Sequence, residues 1–195
     1  MNKLKLFLAL LLAIVSHSFA QTKWKFDKAH TNIGFSVTHL VITEVEGKFK
    51  KFKGSVITDG NNFENAKIEF SADVNSISTG NKKRDNHLKS DDFFNAAKFP
   101  KLTFKSKSFK KVSDNKYKLV GDLTIRGITK EVTLDVTLNG IIKDPWGGTR
   151  AGFKITGEIN RFDFGLKWNK LIEAGGAVVG KTVRIIINAE LKKQE

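Results

Sequence analysis

The feature that most constrains the fold of this chain is a two-residue alternation of apolar and polar side chains, which recurs from residue 33 to residue 191. An alternation of this period places one set of side chains on each face of a β-strand. One apolar and one polar face per strand is typical of antiparallel sheets that have water on one side. The apolar positions are Ile33, Phe35 and Val37; Ile68, Phe70, Ala72 and Val74; Leu102 and Phe104; Tyr117, Leu119, Gly121, Leu123 and Ile125; Val132, Leu134, Val136 and Leu138; Phe153, Ile155, Gly157 and Ile159; and Val183, Ile185, Ile187, Ala189 and Leu191.

Turn-forming pairs such as Asp59-Gly60 and Asn139-Gly140 separate these runs. With a phenylalanine-rich segment at 45–57, the runs predict about eight strands. Eight antiparallel strands close most economically into a barrel or a two-sheet sandwich. The chain has no internal repeat and no Pro/Ser-rich linker, so residues 21–195 are predicted to form one all-β domain.

One segment, between Gly80 and Pro100, lacks the alternation. It is charged and compatible with a helix, and Ser90 is predicted to cap a short turn that follows. We expect a short helical insertion that places Leu88, Phe93 and Phe94 against the barrel or across its mouth.

The N-terminus has the pattern of a secretory signal peptide. Lys3 and Lys5 precede ten apolar residues at 6–15, and Ser18-Phe19-Ala20 places small residues before a cleavage point at Gln21. An uncleaved membrane anchor would need a longer apolar run. The sequence therefore predicts removal of residues 1–20, which lowers the net charge from +14 to +12. The Lys-, Asn-, Ile- and Phe-rich composition favours the periplasm of a bacterium as the destination.

The sequence lacks the residues or the spacing that several kinds of catalytic and cofactor-binding site require. Without cysteine there is no disulfide, thiolate metal site or cysteine nucleophile. Asp27, His30, His39 and His87 are the metal-ligand candidates, but they do not have the spacing of a known zinc motif. Residues 175–182 match the phosphate-binding loop letter for letter, yet a strand-like run follows where that loop requires a helix. We therefore expect no metal, no nucleotide and no other cofactor.

Basic stretches at 48–53, 82–84 and 105–111 interleave lysines with phenylalanines. Proteins that bind single-stranded nucleic acid have this pattern, but an exported protein is separated from nucleic acid. The stretches predict a solvated basic face, with transient contact to an anionic membrane surface left open. A homodimer is left open as well.

Fourteen of the 16 phenylalanines remain after cleavage, and most lie on the apolar face of a strand or in the insertion. The interior of an eight-stranded barrel either packs solid or holds one small ligand. A lining of Phe, Val, Ile and Leu would suit a long aliphatic chain, because the attraction grows with the apolar area buried. The residues alone leave the filled and the hollow barrel equally open.

A set of motifs in fixed order resembles the YceI-like family of bacterial periplasmic proteins. The resemblance covers about 24–191, and its most specific part is the run Arg84–Phe94. The remaining motifs are Trp24–Thr31, Ile33–His39, Val45–Phe49, Phe52–Gly54, Ser76–Gly80, Phe99-Pro100, Phe104–Ser106, Gly121–Thr129 and Ile159–Gly165.

The resemblance implies an extended eight-stranded antiparallel barrel, lipocalin-like in shape, with an apolar pore. It also implies binding, transport or storage of a long apolar lipid, such as a polyisoprenoid, a quinone precursor or a fatty-acid amide, without established catalysis. No short ligand-binding signature of the family carries over residue by residue.

Our leading hypothesis is therefore a periplasmic lipid-binding barrel. One alternative is an enzyme that acts on a lipid-like substrate in the same cavity, with His30, His39 or His87 as general base. Another is a basic surface-binding module with a solid core. The weak candidates for polar groups at the pore entrance are His39 and Asn86. The residues predicted from the alternation and the insertion to contact the ligand are Phe35, Val37, Phe70, Val74, Leu88, Phe93, Phe94, Leu102, Phe104, Leu123, Ile125, Phe153 and Ile155.

Overall fold

The computed structural model describes residues 21–172 and 176–194, so the predicted signal peptide lies outside the described residues. The described chain is mostly β-strand, with one α-helix, α1 (Lys82–Lys89), and two 3-10 turns, Val74–Ser76 and Arg161–Phe164. The strands are β1 (Gln21–Phe26), β2 (Asn32–His39), β3 (Thr43–Phe49), β4 (Phe52–Asp59), β5 (Asn62–Asp73), β6 (Ile77–Ser78), β7 (Lys101–Ser113), β8 (Lys116–Ile125), β9 (Ile128–Lys143), β10 (Thr149–Asn160), β11 (Leu171–Ile172), β12 (Gly176–Ala177) and β13 (Val179–Lys193).

Eight of the strands form a closed antiparallel barrel, as predicted. Hydrogen-bonded neighbours follow the order β1-β4-β5-β7-β8-β9-β10-β13, and β13 pairs again with β1 to complete the circle. The long strand β13 uses its C-terminal end, Leu191–Lys193, to pair with β1. Its earlier part pairs with β2, which continues through β3 to the short strand β6. Closure matters because it leaves the eight barrel strands without a free edge.

The alternation of the sequence sets the inner face of the barrel. Phe104 of β7 lies opposite Leu123 of β8, and Ile155 of β10 lies opposite Ile187 of β13. A side chain at Gly121 would collide with the ring of Phe104, so this glycine gives the ring its place inside the barrel. On the outer face the lysines lie beside carboxylates, as in the Lys118–Asp135 pair at 2.6 Å.

The insertion is helical, as predicted, but Ser90 does not cap the turn after it. Asn81 caps α1 through a hydrogen bond from the Arg84 amide, 3.1 Å. The Ser90 hydroxyl donates to the His87 carbonyl oxygen at 2.8 Å and so closes α1 at its C-terminus, which corrects the prediction. No helix among the described residues is long and apolar enough to cross a membrane.

The two ends of the barrel differ in how tightly they are packed. At the end where β1 closes the barrel, the inner side chains are almost inaccessible: Trp24 and Ala151 are 0% exposed, Phe63 and Phe109 2%, and Leu191 3%. The Phe63 ring lies 5.0 Å from Trp24 and 4.8 Å from Phe153, centroid to centroid. We call this region the packed half.

Candidate functional site

An apolar cavity of about 230 Å³ extends from the other half of the barrel into the packed half, where Phe63, Phe109 and Leu191 also line it. Along β13, the inward side chains Val183, Ile185 and Ile187 are only half-buried, although they point into the barrel. The next inward residues, Ala189 and Leu191, are buried. All five side chains line the cavity and follow one alternation, but they change from half-buried at Val183, Ile185 and Ile187 to buried at Ala189 and Leu191. We call the region around Phe35, Val37, Ile155, Val183 and Ile185 the hollow half.

The cavity is long and narrow. Its lining on β13 begins at Val179 and includes every second residue from Val183 to Leu191. The part from Val183 to Leu191 alone covers about 26 Å of strand, or about 20 Å along the axis of a barrel whose strands tilt by about 40°. A volume of about 230 Å³ distributed along such a length makes a channel rather than a round pocket. Its shape suits one extended apolar chain better than a bulky ring system.

A segment after β6 covers the hollow half. Leu88 of α1 and Phe93 and Phe94 after it all line the cavity. Arg126, in the turn between β8 and β9, donates hydrogen bonds to the carbonyl oxygens of Asp91 and Phe93 and to the Asp91 carboxylate, the last at 2.9 Å. The insertion is thus held against the barrel, in the position that the sequence predicted for it.

Most of the residues predicted to contact a ligand lie on the cavity wall. Val74 does not, because β5 ends at Asp73 and Val74 begins a 3-10 turn, where the alternation no longer sets its direction. His39 and Asn86, the predicted entrance residues, are not among the lining residues either. Contact of the other twelve with a ligand stays a prediction. These twelve are Phe35, Val37, Phe70, Leu88, Phe93, Phe94, Leu102, Phe104, Leu123, Ile125, Phe153 and Ile155.

Sequence reasoning missed Arg161, the one charged residue among those that line the cavity in the described part of the chain. It is 3% exposed and follows β10 directly. A signal for it was present, because position 161 continues the inward series 153, 155, 157 and 159 of that strand. A charged residue at an inward position of an apolar run is unusual enough to be marked as a candidate.

The packed half ends in a network of charges rather than in a cavity. Asp27 accepts hydrogen bonds from Arg150 at 2.8 Å and Lys192 at 2.9 Å, and its other oxygen accepts the Ala29 amide at 2.9 Å. Arg150 also pairs with Glu190 and, at 2.5 Å, with Asp144. These contacts join β1, β10 and β13 where the barrel closes.

The network shifts the pKa of its members. The Lys192 ammonium, with smaller contributions from His30, the Ala29 amide and Arg150, holds the pKa of the Asp27 carboxyl far below its usual range, against the opposing effect of burial. Hydrogen bonds to Asp144, Glu190 and Asp27 raise the pKa of Arg150. Both groups are therefore charged at any ordinary pH.

Two of the metal-ligand candidates, Asp27 and His30, do meet in space, together with Glu190, with ligand atoms within 4.8 Å of one another. However, the Asp27 oxygens already accept from Arg150, Lys192 and the Ala29 amide, so the cluster is arranged as an ion-pair network. His39 and His87 are not part of it, and the His87 Nε2 atom lies 2.7 Å from Asp92 instead.

The other sequence candidates do not face the cavity. His30, His39 and His87, the predicted general bases of the enzyme alternative, are not among its lining residues. Lys181 and Thr182, from the apparent phosphate-binding loop, lie within strand β13, whereas Gly175 is outside the described residues. The strand that replaces the required helix agrees with the interpretation of this motif as a glycine-rich loop.

Comparison with known proteins identifies relatives across most of the chain. The model of the YceI-like domain matches residues 24–191. A UPF0312 protein of Staphylococcus aureus (strain N315) is 43% identical over 175 residues, which is 89% of this chain and 99% of the relative.

Solved structures show the same barrel. The YCEI protein of Campylobacter jejuni is 35% identical, covers 87% of this chain and 96% of its own, and has a TM-score of 0.71. BcnA of Burkholderia cenocepacia is 25% identical, with coverages of 85% and 98% and a TM-score of 0.73. A polyisoprenoid binding domain from Saccharophagus degradans, at 15% identity, coverages of 88% and 98% and a TM-score of 0.67, shares the fold. This chain belongs to the YceI-like family, as its motifs predicted.

Proposed function

We propose that the protein binds one long apolar chain, a polyisoprenoid or another long-chain lipid, in the hollow half of the barrel. The observation that carries the proposal is the cavity wall, where apolar side chains from all eight barrel strands and the insertion surround a channel with Arg161 as its one charged member among the described residues. Burial of an apolar chain along such a wall contributes about 25 cal/mol per Å². The Saccharophagus degradans domain of the same fold, described as polyisoprenoid-binding, supports the choice of ligand class.

The lipid would be carried or stored rather than changed. The three histidines considered as general bases do not line the cavity, and its wall offers aliphatic and aromatic carbon almost everywhere. The cavity also removes the basis of the alternative in which a solid core supports a surface-binding module. Binding without chemistry is what such a wall supports best.

We place this activity in the periplasm. The support is the sequence of residues 1–20, which has the positive start, apolar run and small-residue exit of a cleavable signal peptide. An exported carrier with a basic outer face would also meet anionic membrane surfaces, from which a long-chain lipid can be collected.

The test compares two substitutions at adjacent positions of β13. Ile185 lines the cavity, whereas Ile186 points away from it and is not part of the lining. Ile185→Trp therefore fills the channel, and Ile186→Trp adds the same ring on the outside. The measurement is organic extraction of each purified protein, followed by mass spectrometry.

We expect an isoprenoid or acyl chain to co-purify with the wild type and with Ile186→Trp, and to be reduced at least tenfold in Ile185→Trp. Absence of any long-chain molecule from the wild type, together with no uptake of an added chain, would contradict the proposal. Equal retention by the two variants would show that the lipid binds somewhere other than the hollow half.

A further inference from the structure

Arg161 combines deep burial with an unusual set of partners. Its side chain is held in the 3-10 turn after β10 at the hollow end of the barrel, and it is 3% exposed. It donates to four backbone carbonyl oxygens: those of Gly180 at 2.8 Å, Leu166 at 2.5 Å, Trp168 at 2.8 Å and Val179 at 3.0 Å. All four acceptors are neutral.

The guanidinium carbon also lies 4.5 Å from the centroid of the Phe162 ring, but these partners leave the charge without an anion and one donor without an acceptor. A guanidinium has five N–H groups and no acceptor, so one N–H of Arg161 has no acceptor among residues 21–172 and 176–194. Within the same residues no carboxylate oxygen lies within 4.0 Å of it to form an ion pair. Burial accordingly lowers the pKa of Arg161, because the charged form is separated from water. A buried cation without an anion carries a large free-energy cost.

We propose that Arg161 binds the anionic head of the ligand, a carboxylate or a phosphate, while the apolar tail extends into the hollow half. This inference rests on the proposed function, because it assigns a direction and a head group to the same chain-like ligand. Arg161 and the apolar wall belong to one cavity, so a single molecule can contact both. An ionised acceptor would receive the remaining N–H in a charge-assisted hydrogen bond and compensate the buried charge.

The competing explanation is that Arg161 only braces the backbone. Its four carbonyl contacts tie the segment after the 3-10 turn to the start of β13, and such a brace would have no effect on which head group is bound. The two explanations therefore differ in one measurable quantity, the preference for an anionic head at constant chain length.

The test uses three ligands with the same sixteen-carbon chain: a fatty acid, an alkyl phosphate and an alcohol. Affinities for delipidated protein are measured by calorimetry below the concentration at which the ligands aggregate. A hydrogen bond to a charged group contributes about 1.5–3 kcal/mol, so we expect the acid, the phosphate or both to bind about 10- to 100-fold more tightly than the alcohol. The ratio between acid and phosphate then distinguishes the two sources of the head.

Two variants complete the test. Arg161→Gln should remove the preference, so that the acid, the phosphate and the alcohol bind this variant with affinities within about threefold of one another. Arg184→Gln is the matched control, since Arg184 is an exposed arginine of β13 that pairs with Glu44 and Glu158 on the outside. It removes one positive charge near the same end without altering the cavity, and it should keep the preference.

The outcomes separate this inference from the proposed function. If all three ligands bind the wild type equally, the head-group assignment is wrong although the lipid-binding function stands. If none of them binds, and no isoprenoid does, the proposed function fails as well. Since the wild-type comparison alone decides the preference, the test remains valid even if Arg161→Gln does not fold.

Discussion

Two arginines at opposite ends of the same strand show how differently the barrel uses a charge. Arg150, at the start of β10, is paired with three carboxylates, from Asp27, Asp144 and Glu190. Arg161, just beyond the other end of β10, is more deeply buried and contacts neutral carbonyl groups. Accordingly, the pKa of Arg150 is raised and that of Arg161 is lowered.

The difference follows the packing of the two halves. Around Arg150 the barrel closes on buried aromatic side chains, and the charges there are paired within the protein. Around Arg161 the wall of the cavity is apolar, and the charge lacks a counter-ion among the described residues. One end is therefore complete as folded, whereas the other has the composition of a site that a ligand completes.

The largest expected effect compares two truncations on β13, measured on delipidated protein by denaturant unfolding. Leu191→Ala, in the packed half, should lower the free energy of unfolding by about 3 kcal/mol, since this side chain is only 3% exposed and its truncation removes buried area and enlarges the cavity that it lines. Ile185→Ala should cost about 1 kcal/mol, because this side chain already borders empty space and loses less buried area. Equal losses would mean that the two halves are packed alike.

The reverse change should also distinguish the halves. Ala189→Leu enlarges a side chain that is 6% exposed and lies opposite Phe153, so overpacking should cost about 2 kcal/mol. Val183→Phe, six residues earlier on the same strand, extends into the cavity and should change stability by less than about 1 kcal/mol. A comparable loss from both variants, measured in the same way, would show that the cavity is not available to a larger side chain.

The charge network at the packed end predicts a pH dependence. The pKa of Asp27 is lowered in the folded state, so its stabilising contribution is fully present above the unfolded value of about 3.9 and is lost as the pH falls toward the folded value. Asp27→Asn should therefore lower the Tm by about 5 °C at pH 7, and the difference should shrink as the pH is lowered toward 2. A difference that is constant with pH would contradict this explanation.

The smallest effect is expected on the outer face. Asp135 is exposed and pairs with Lys118 at 2.6 Å, and exposed pairs of this kind contribute little. Asp135→Asn should change the Tm by less than about 2 °C at pH 7. Because it removes a carboxylate as Asp27→Asn does, it is the matched control, and a shift as large as that of Asp27→Asn would show that burial is not the deciding factor.

The sequence was sufficient for the barrel because one alternation determined both strand identity and the inward face. Residues such as Phe104, Leu123 and Ile155 were assigned to the wall on that basis, and the structure places them there. The alternation did not predict that Val74 begins a turn, because the position at which a strand ends depends on contacts with residues outside that strand.

The distinction between the two halves could not be predicted. Ile185 and Leu191 occupy equivalent positions in the pattern, and only the arrangement of the surrounding strands makes one half-buried and the other 3% exposed. The partners of Arg161 come from residues 5–19 positions away, so its unmatched charge is likewise a property of the assembled structure.

The central claim is that an apolar chain occupies the hollow half, and isoleucine methyl NMR tests it most directly. When a long-chain ligand is added to delipidated protein, we predict large shifts for the methyl groups of Ile155, Ile185 and Ile187, and small ones for the exposed Ile42 and Ile142. Shifts limited to the exposed isoleucines, or an unchanged spectrum at saturating ligand, would contradict it.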